Sequence, residues 1–510
     1  MIRACFKFVV FFLISLQPAF GASLDHALLS VYAVRSDTGE VLLSENCDLS
    51  MMPASCMKIV TTAAALHILG PNRRLETYLE YDGVIDEEKV LQGNIYIRGG
   101  GDPCLGSDRI AGTASWKQQI EIWADAIEKL GIRSIKGKVV ADATEWEKAR
   151  AVPSWAWEDL GNYYGAGASA LSFHENQYSI FFRPAGQIGE RVSVLRTDPP
   201  ALSLDLQNEV TTGPEGSGDC ACIYGSEFSS IQFIRGTIPC GVDEFPIKGM
   251  IPNPGTFCAD LLDQELQKRG LKNENLDRGA NCKTPRQQKI DDFGSPCQNP
   301  HSGFGRRRRR HTWESRGAAA EARGDKRAIL CGEEFCNWLQ GSTGRRTRFH
   351  TTYSPTVGEI AYWTNQKSVN LYAEHLLKKM GEVMHGDGST TAGIKAVTDF
   401  WKAQNVDLSG FQMADGSGLS RKNLVTTRQL VTVLLKMKKS NLFPLYFESF
   451  PQKEESIRAK SGSMSLVRGF AGYTDKTAFA ILINQCPDTK LMQDKINELL
   501  TKINQMNGKS

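Results

Sequence analysis

The sequence predicts a mixed α/β fold, an antiparallel sheet flanked by helices from both ends of the chain and interrupted by a large β-rich insert. Three observations predict it. Two short β runs near the N-terminus lead into a helical apolar pattern, Ile59-Val60 with Ala63-Ala64-Ala65-Leu66. From about Arg74 to Cys258 the chain changes to many short β runs with few helices. After Thr352 helical patterns return, and the chain closes with three β runs and a last helix.

Each element has a local reason. Leu29–Val34 and Glu40–Ser44 flank Asp37-Thr38-Gly39, a hairpin turn by composition. Pro53 precedes a helix that opens at Ser55-Cys56-Met57-Lys58 and is stopped by Gly70-Pro71. Gly93–Arg98, Gly137–Val140, Tyr178–Arg183, Arg191–Leu195 and Ser229–Arg235 read as strands of the insert, with Trp116–Leu130 its clearest helix. Phe257–Lys268 is a helix closed by Gly270. Pro355–Asn365 leads into Ser368-Val369-Asn370, and a helix from Leu371 to Met380 ends at Gly381. Helices follow at Thr390–Gln404 and Thr427–Lys439. Lys460-Ser461-Gly462 opens a β run that returns through Phe470–Tyr473 and Phe479–Asn484, and Lys490–Ile503 packs on that sheet.

The chemistry is carried by spacing. Ser55 and Lys58 stand at i and i+3, neighbours on one helix face, so an amine lies beside a hydroxyl at the positive helix end. A serine hydroxyl needs such a base to become a nucleophile. Lys58 serves if burial and nearby positive charge lower its pKa. A Ser-x-x-Lys alone arises by chance, and Ser44-Glu45-Asn46 shows that Ser-x-Asn does too, but that copy precedes the nucleophile. Ser55-x-x-Lys58, Ser368-Val369-Asn370 and Lys460-Ser461-Gly462 occur in the order of active-site serine acyltransferases that react with penicillin. From Ser55 to Ser368 the chain runs 313 positions (368 − 55), from Ser368 to Lys460 only 92 (460 − 368), so something large is inserted in the first gap.

That layout resembles the D-alanyl-D-alanine carboxypeptidase/endopeptidase family of low-molecular-mass penicillin-binding proteins, peptidase family S13. Pro53-Ala54-Ser55, Gly99-Gly100-Gly101-Asp102-Pro103, Tyr163-Tyr164-Gly165-Ala166, Ser368–Glu374 and Asp415–Arg421 also fit its pattern. The likeness covers roughly Ser23–Gly270 and Thr352–Gln485 and departs at Cys56, at Val369 where Asp is usual, and at Ser461 where Thr is usual. The resemblance implies a β-lactamase/transpeptidase-like domain. It further implies a serine-type D-Ala-D-Ala carboxypeptidase, also able to act as an endopeptidase on cross-links, working on peptidoglycan stem peptides through an acyl-enzyme on Ser55. β-Lactams would be covalent inhibitors. In that scheme Ser368 relays a proton to the leaving amine, and Asn370 orients the acyl amide and Lys58. Lys460 and Ser461 hold the terminal carboxylate beside Gly462, and the backbone N–H groups of Ser55 and Ser463 form the oxyanion hole. The alternatives are a serine β-lactamase and a catalytically silent wall-binding homologue.

No metal or organic cofactor is expected. Gly99–Pro103 lacks the lysine of a phosphate loop and reads as a tight turn, Asp415–Gly418 has too few carboxylates for calcium, and the eight histidines suggest no Ser-His-Asp set. The expected divisions are a signal peptide over 1–21, transpeptidase-like parts over 22–75 and 351–510, the insert over 76–272, and an irregular tract over 273–350. Arg3 and Lys7, the apolar Phe8–Leu16 and the small residues around Ala19-Phe20-Gly21 are the signal's marks. A secreted or periplasmic protein without a transmembrane anchor follows. Cys220, Cys222, Cys240 and Cys258 are candidates for disulfides in such a compartment, their pairing open. The net charge of +3 is local in origin: residues 301–350, with five consecutive arginines at Arg306–Arg310, hold 12 Lys/Arg against 5 Asp/Glu. This tract reads as a disordered loop or as frameshifted sequence, and no nucleic-acid partner is expected.

Overall fold

The structure, a computed structural model, describes residues 23–200, 204–273, 345–454 and 456–507. The expected signal peptide and the five-arginine run lie outside the described residues. A six-stranded sheet is the frame, in the order Gln452–Glu454, Ile457–Met464, Val467–Tyr473, Thr477–Asn484, Leu28–Arg35 and Val41–Glu45, antiparallel throughout. Leu28↔Asn484 through Arg35↔Thr477 joins the two ends of the chain in one continuous ladder. Alternation gives the sheet two buried faces. Val31, Ala33, Phe479, Ile481 and Ile483 pack under the helix Thr489–Asn507, while Tyr32, Val34, Ala480 and Leu482 face the helical core.

That core surrounds the helix Met57–Ile68, in which every residue from Met57 to Leu66 is buried. A helix buried on all sides is apolar all round, and this one carries three consecutive alanines where neighbours press closest. Its polar side chains turn inward to carbonyls: Thr61 Oγ1 donates to Gly416 O (2.7 Å) and Thr62 Oγ1 to Lys58 O (2.7 Å). The helix Asn370–His385 continues through Gly381 and ends at Gly386, whose φ of 69° supplies the left-handed cap. Gly381 is a packing glycine. A Cβ there would lie 2.5 Å from Gly393 N, so the helix Thr390–Ala403 can approach only because the side chain is missing.

The β-rich region has its own core around Trp123, Phe173, Tyr178, Phe182 and Leu262. One four-stranded sheet runs Thr347–Thr356, Arg74–Tyr81, Ile95–Gly99, Val139–Asp142, and two three-stranded sheets hold Gln177–Arg183 and Ile231–Pro239 at their centres. The strand Thr347–Thr356 starts inside the stretch read as irregular and extends beyond Thr352, where a helical pattern was expected. Its partner, Arg74–Tyr81, is remote in sequence (Thr347↔Tyr81 to Thr356↔Arg74), and no local signal announces such pairing. Cys220, Cys222, Cys240 and Cys258 are free thiols. Cys220 and Cys222 share one strand, and Cys258 is buried in the helix Pro254–Lys268, so neither arrangement offers a facing pair.

Candidate active site

Pro53, Ala54 and Cys56 form a short 3₁₀ turn with Ser55 at its middle, feeding directly into the helix that carries Lys58. The turn is crowded. Ala54 has a left-handed φ of 46°, and a Cβ on Gly418 would lie 1.8 Å from its carbonyl oxygen. From the other side Gly462 presses in, where a Cβ would meet Pro53 O at 2.4 Å and Ser55 N at 3.1 Å. Glycine at both positions lets a loop and a strand close on the serine.

Lys58 Nζ lies 2.9 Å from Ser55 Oγ, 2.6 Å from Asn370 Oδ1 and 2.7 Å from Ser417 O. The side chain is wholly buried, and burial, followed by the field of Lys460, holds its pKa well below the usual lysine range. Asp415 and Glu374 pull the other way without prevailing. A neutral amine has two N–H groups and one lone pair. Asn370 Oδ1, Ser417 O and Ser55 Oγ all lie in reach as acceptors; once the amine is neutral, two N–H groups suffice for the first two and the lone pair can take the serine proton.

Both carbonyl acceptors are fixed from behind. Asn370 Nδ2 donates to Tyr164 O (2.8 Å). The Ser417 peptide is held because Gly416 N and Ser417 N donate to Glu374 (3.1 and 2.8 Å), a buried carboxyl pushed up to about 7 by burial and by Asp415. Asp415 accepts from Gly418 N, Ser420 N, Asn423 Nδ2 and Trp155 Nε1 (2.6–2.8 Å). Its four contacts make it the organiser of the turn rather than a metal ligand. Among the described residues no cluster of His, Cys, Asp and Glu could hold a metal ion.

Ser368 stands in the left-handed region (φ 57°), a conformation a non-glycine residue holds only when its surroundings impose it. Its Oγ accepts from Lys460 Nζ at 2.9 Å. Lys460 is 1% exposed, and burial brings its pKa down to about 8, so it remains largely cationic at neutral pH. Lys460, Ser461, Gly462 and Ser463 lie on one strand, Ser461 exposed and Ser463 half-buried. Cys56 is buried behind the strand with its thiol pushed up to about 12, inert beside the serine. Of the eight residues singled out in the sequence, Ser55, Lys58 and Asn370 are joined by hydrogen bonds, Ser368 is bonded to Lys460, Gly462 packs on the Ser55 turn, and Ser461 and Ser463 flank Gly462 on its strand. Sequence reasoning missed Glu374, Tyr164 and Trp155. Glu374 and Tyr164 lie inside segments that fit the family pattern, but nothing in one sequence says what their groups face.

The D-Ala-D-Ala carboxypeptidase 3 (S13) family model matches residues 18–284 and 350–503, most of the chain. The chain belongs to this family. It is 25% identical to a D-alanyl-D-alanine carboxypeptidase of Actinomadura sp. (strain R39), over 91% of this chain and 78% of that one. It is 20% identical to the D-alanyl-D-alanine carboxypeptidase DacB of Haemophilus influenzae, over 87% and 83% respectively. The crystal structure of penicillin binding protein 4 (dacB) from Haemophilus influenzae has the same fold, with a TM-score of 0.67 at 20% identity over 90% of this chain and 91% of that one. Family membership and fold agree with the mixed α/β, transpeptidase-like architecture expected from the motifs, and with a peptidoglycan-acting hydrolase of the penicillin-binding kind.

Proposed function

We propose that the chain is a serine-type D-Ala-D-Ala carboxypeptidase that hydrolyses peptidoglycan stem peptides, and cross-links as the same chemistry on a larger leaving group. The observation that carries the reading is the buried Lys58 amine, its Nζ 2.9 Å from Ser55 Oγ and within hydrogen-bond reach of Asn370 Oδ1 and Ser417 O.

Ser55 Oγ attacks the carbonyl of the penultimate D-Ala as Lys58 takes its proton. The backbone N–H groups of Ser55 and Ser463 receive the developing oxyanion. The proton passes from Lys58 by way of Ser368 to the leaving amine, the C–N bond breaks, and D-Ala departs. Water then cleaves the Ser55 ester by the reverse proton path. Lys460 and Ser461 bind the terminal carboxylate, which places the scissile bond at a fixed distance from a cation and explains exo cleavage. Substrate length beyond the leaving residue is met by the β-rich region, whose Tyr164 carbonyl and Trp155 indole already touch the site's own residues. A β-lactam offers the same pairing of amide and carboxylate and would acylate the same serine.

The substrate lies outside the cytoplasm, so the reading includes export by the segment over 1–21. Among the described residues no helix is long and apolar enough to cross a membrane. The test is D-alanine release from a diacyl-Lys-D-Ala-D-Ala peptide by the wild type and by Ser55→Ala. Release by the wild type alone supports the reading, and equal release by both would sink it.

A further inference from the structure

Next to the Lys460–Ser461 pair the sheet carries two more cations. On an antiparallel ladder, residues two apart share a face with their cross-strand partners. Ser461 is opposite Phe470 and Ser463 opposite Arg468, so these four side chains form one patch across two neighbouring strands, on the face that Ser461 presents and Lys460 does not. Arg468 Nη1 donates to Ser463 Oγ at 2.6 Å, and its Nε is buried with no hydrogen-bond partner among the described residues. Lys453, from the adjoining edge strand, holds its Nζ 5.8 Å from the centre of the Phe470 ring. Among the described residues no carboxylate pairs with Lys453, Lys460 or Arg468, although most half-buried arginines elsewhere in the protein, such as Arg98, Arg109 and Arg269, have one. Burial, then the charge of Arg468, lowers the pKa of Lys453, and burial, with Lys453 adding to it, lowers that of Lys460. A guanidinium with most of its donors unused, beside an ammonium and two hydroxyls, is a carboxylate receptor without a carboxylate.

We propose that Arg468 and Lys453 form an anion subsite beside Ser461, which receives a second carboxylate carried by the leaving residue of the substrate. The inference rests on the carboxypeptidase reading, which assigns the C-terminal carboxylate to Lys460 and Ser461. One anion there leaves two cations unmatched, and a leaving residue with an acidic side chain matches them. Arg468 is then a determinant of specificity, oriented by Ser463 through the 2.6 Å contact.

The experiment compares kcat/KM for two peptides, diacyl-Lys-D-Ala-D-Ala and diacyl-Lys-D-Ala-D-Glu, in the wild type and in Arg468→Gln, Arg468→Lys and Lys453→Gln. The expected result is that the D-Glu to D-Ala ratio falls about tenfold in Arg468→Gln, less in Arg468→Lys, and about threefold in Lys453→Gln. Because the ratio is internal to each variant, partial unfolding does not mimic the effect. Should Arg468→Gln fail to fold, the Lys453→Gln ratio decides alone. A ratio unchanged in Arg468→Gln, or in Lys453→Gln when only that variant folds, overturns the subsite. A wild type that releases neither D-Ala nor D-Glu overturns the carboxypeptidase reading itself.

Discussion

Lys58 and Lys460 approach Ser55 from two sides of one cleft, Lys58 on a helix buried on every side and Lys460 on the strand that faces it. Both side chains are essentially inaccessible, 0% and 1% exposed. Their surroundings differ in kind. Lys58 points into carbonyl oxygens, with Glu374 and Asp415 one layer behind, and still burial and Lys460 hold its pKa well below the usual lysine range. Lys460 meets a serine hydroxyl and the Ser461 carbonyl, and its pKa stops near 8. The contrast shows how one residue type serves two roles. Two like charges disfavour each other in a buried space, which on the proposed mechanism makes Lys58, with the weaker hold on its proton, the base and Lys460 the cation.

The largest break in that comparison is Lys58→Met. It removes the base while leaving the serine, and kcat for D-Ala release is expected to fall by about 10³-fold, the range of a general base. A fall below tenfold in a stopped assay would mean that another group takes the proton.

Lys460→Met removes the cation instead. The expected loss in kcat/KM is roughly 10–100-fold, carried mainly by KM, as for a charge-assisted contact to substrate. The pH profile sharpens the distinction. Lys460 is charged below about 8, so carboxylate binding is lost as pH rises through that value and kcat/KM should fall on an alkaline limb near pH 8. Lys460→Arg, which keeps its charge, should move that limb upward. The acid limb belongs to Lys58, which must lose its proton to act. An alkaline limb that stays in place in Lys460→Arg would assign it to another group.

The smallest effect tests the layer behind Lys58. Glu374 raises the Lys58 pKa; Glu374→Gln removes that charge and keeps one amide oxygen as acceptor for one of the two N–H groups, Gly416 N or Ser417 N. The acid limb is expected to move to lower pH. A shift to higher pH would show that Glu374 acts on the loop and not on the amine.

The reacting groups were legible in the sequence because their geometry is local or order-dependent. Ser55 and Lys58 meet through helix spacing alone, and Ser368, Asn370 and Lys460 follow as two short motifs in a fixed order. Five of the six strands of the frame were legible as short β runs, with Asp37-Thr38-Gly39 as the turn between the first two, whereas the edge strand Gln452–Glu454 was not. What stayed hidden depends on pairing at a distance. Gly381 looked like a helix end because its packing partner, Gly393, belongs to the next helix. Thr347–Thr356 became a strand because Arg74–Tyr81 offered an edge more than 260 residues earlier. Arg468 read as one more basic residue in a β run. Its buried, unpartnered Nε exists only after the two strands pair in register.

The central claim is that Ser55 is the residue acylated, and the most direct measurement is to find the acyl group. Wild-type protein treated with a fluorescent penicillin, digested and mapped by mass spectrometry should carry the penicilloyl mass on Ser55, and Ser55→Ala should carry none. A covalent adduct on any other residue, or one that persists in Ser55→Ala, would contradict the account.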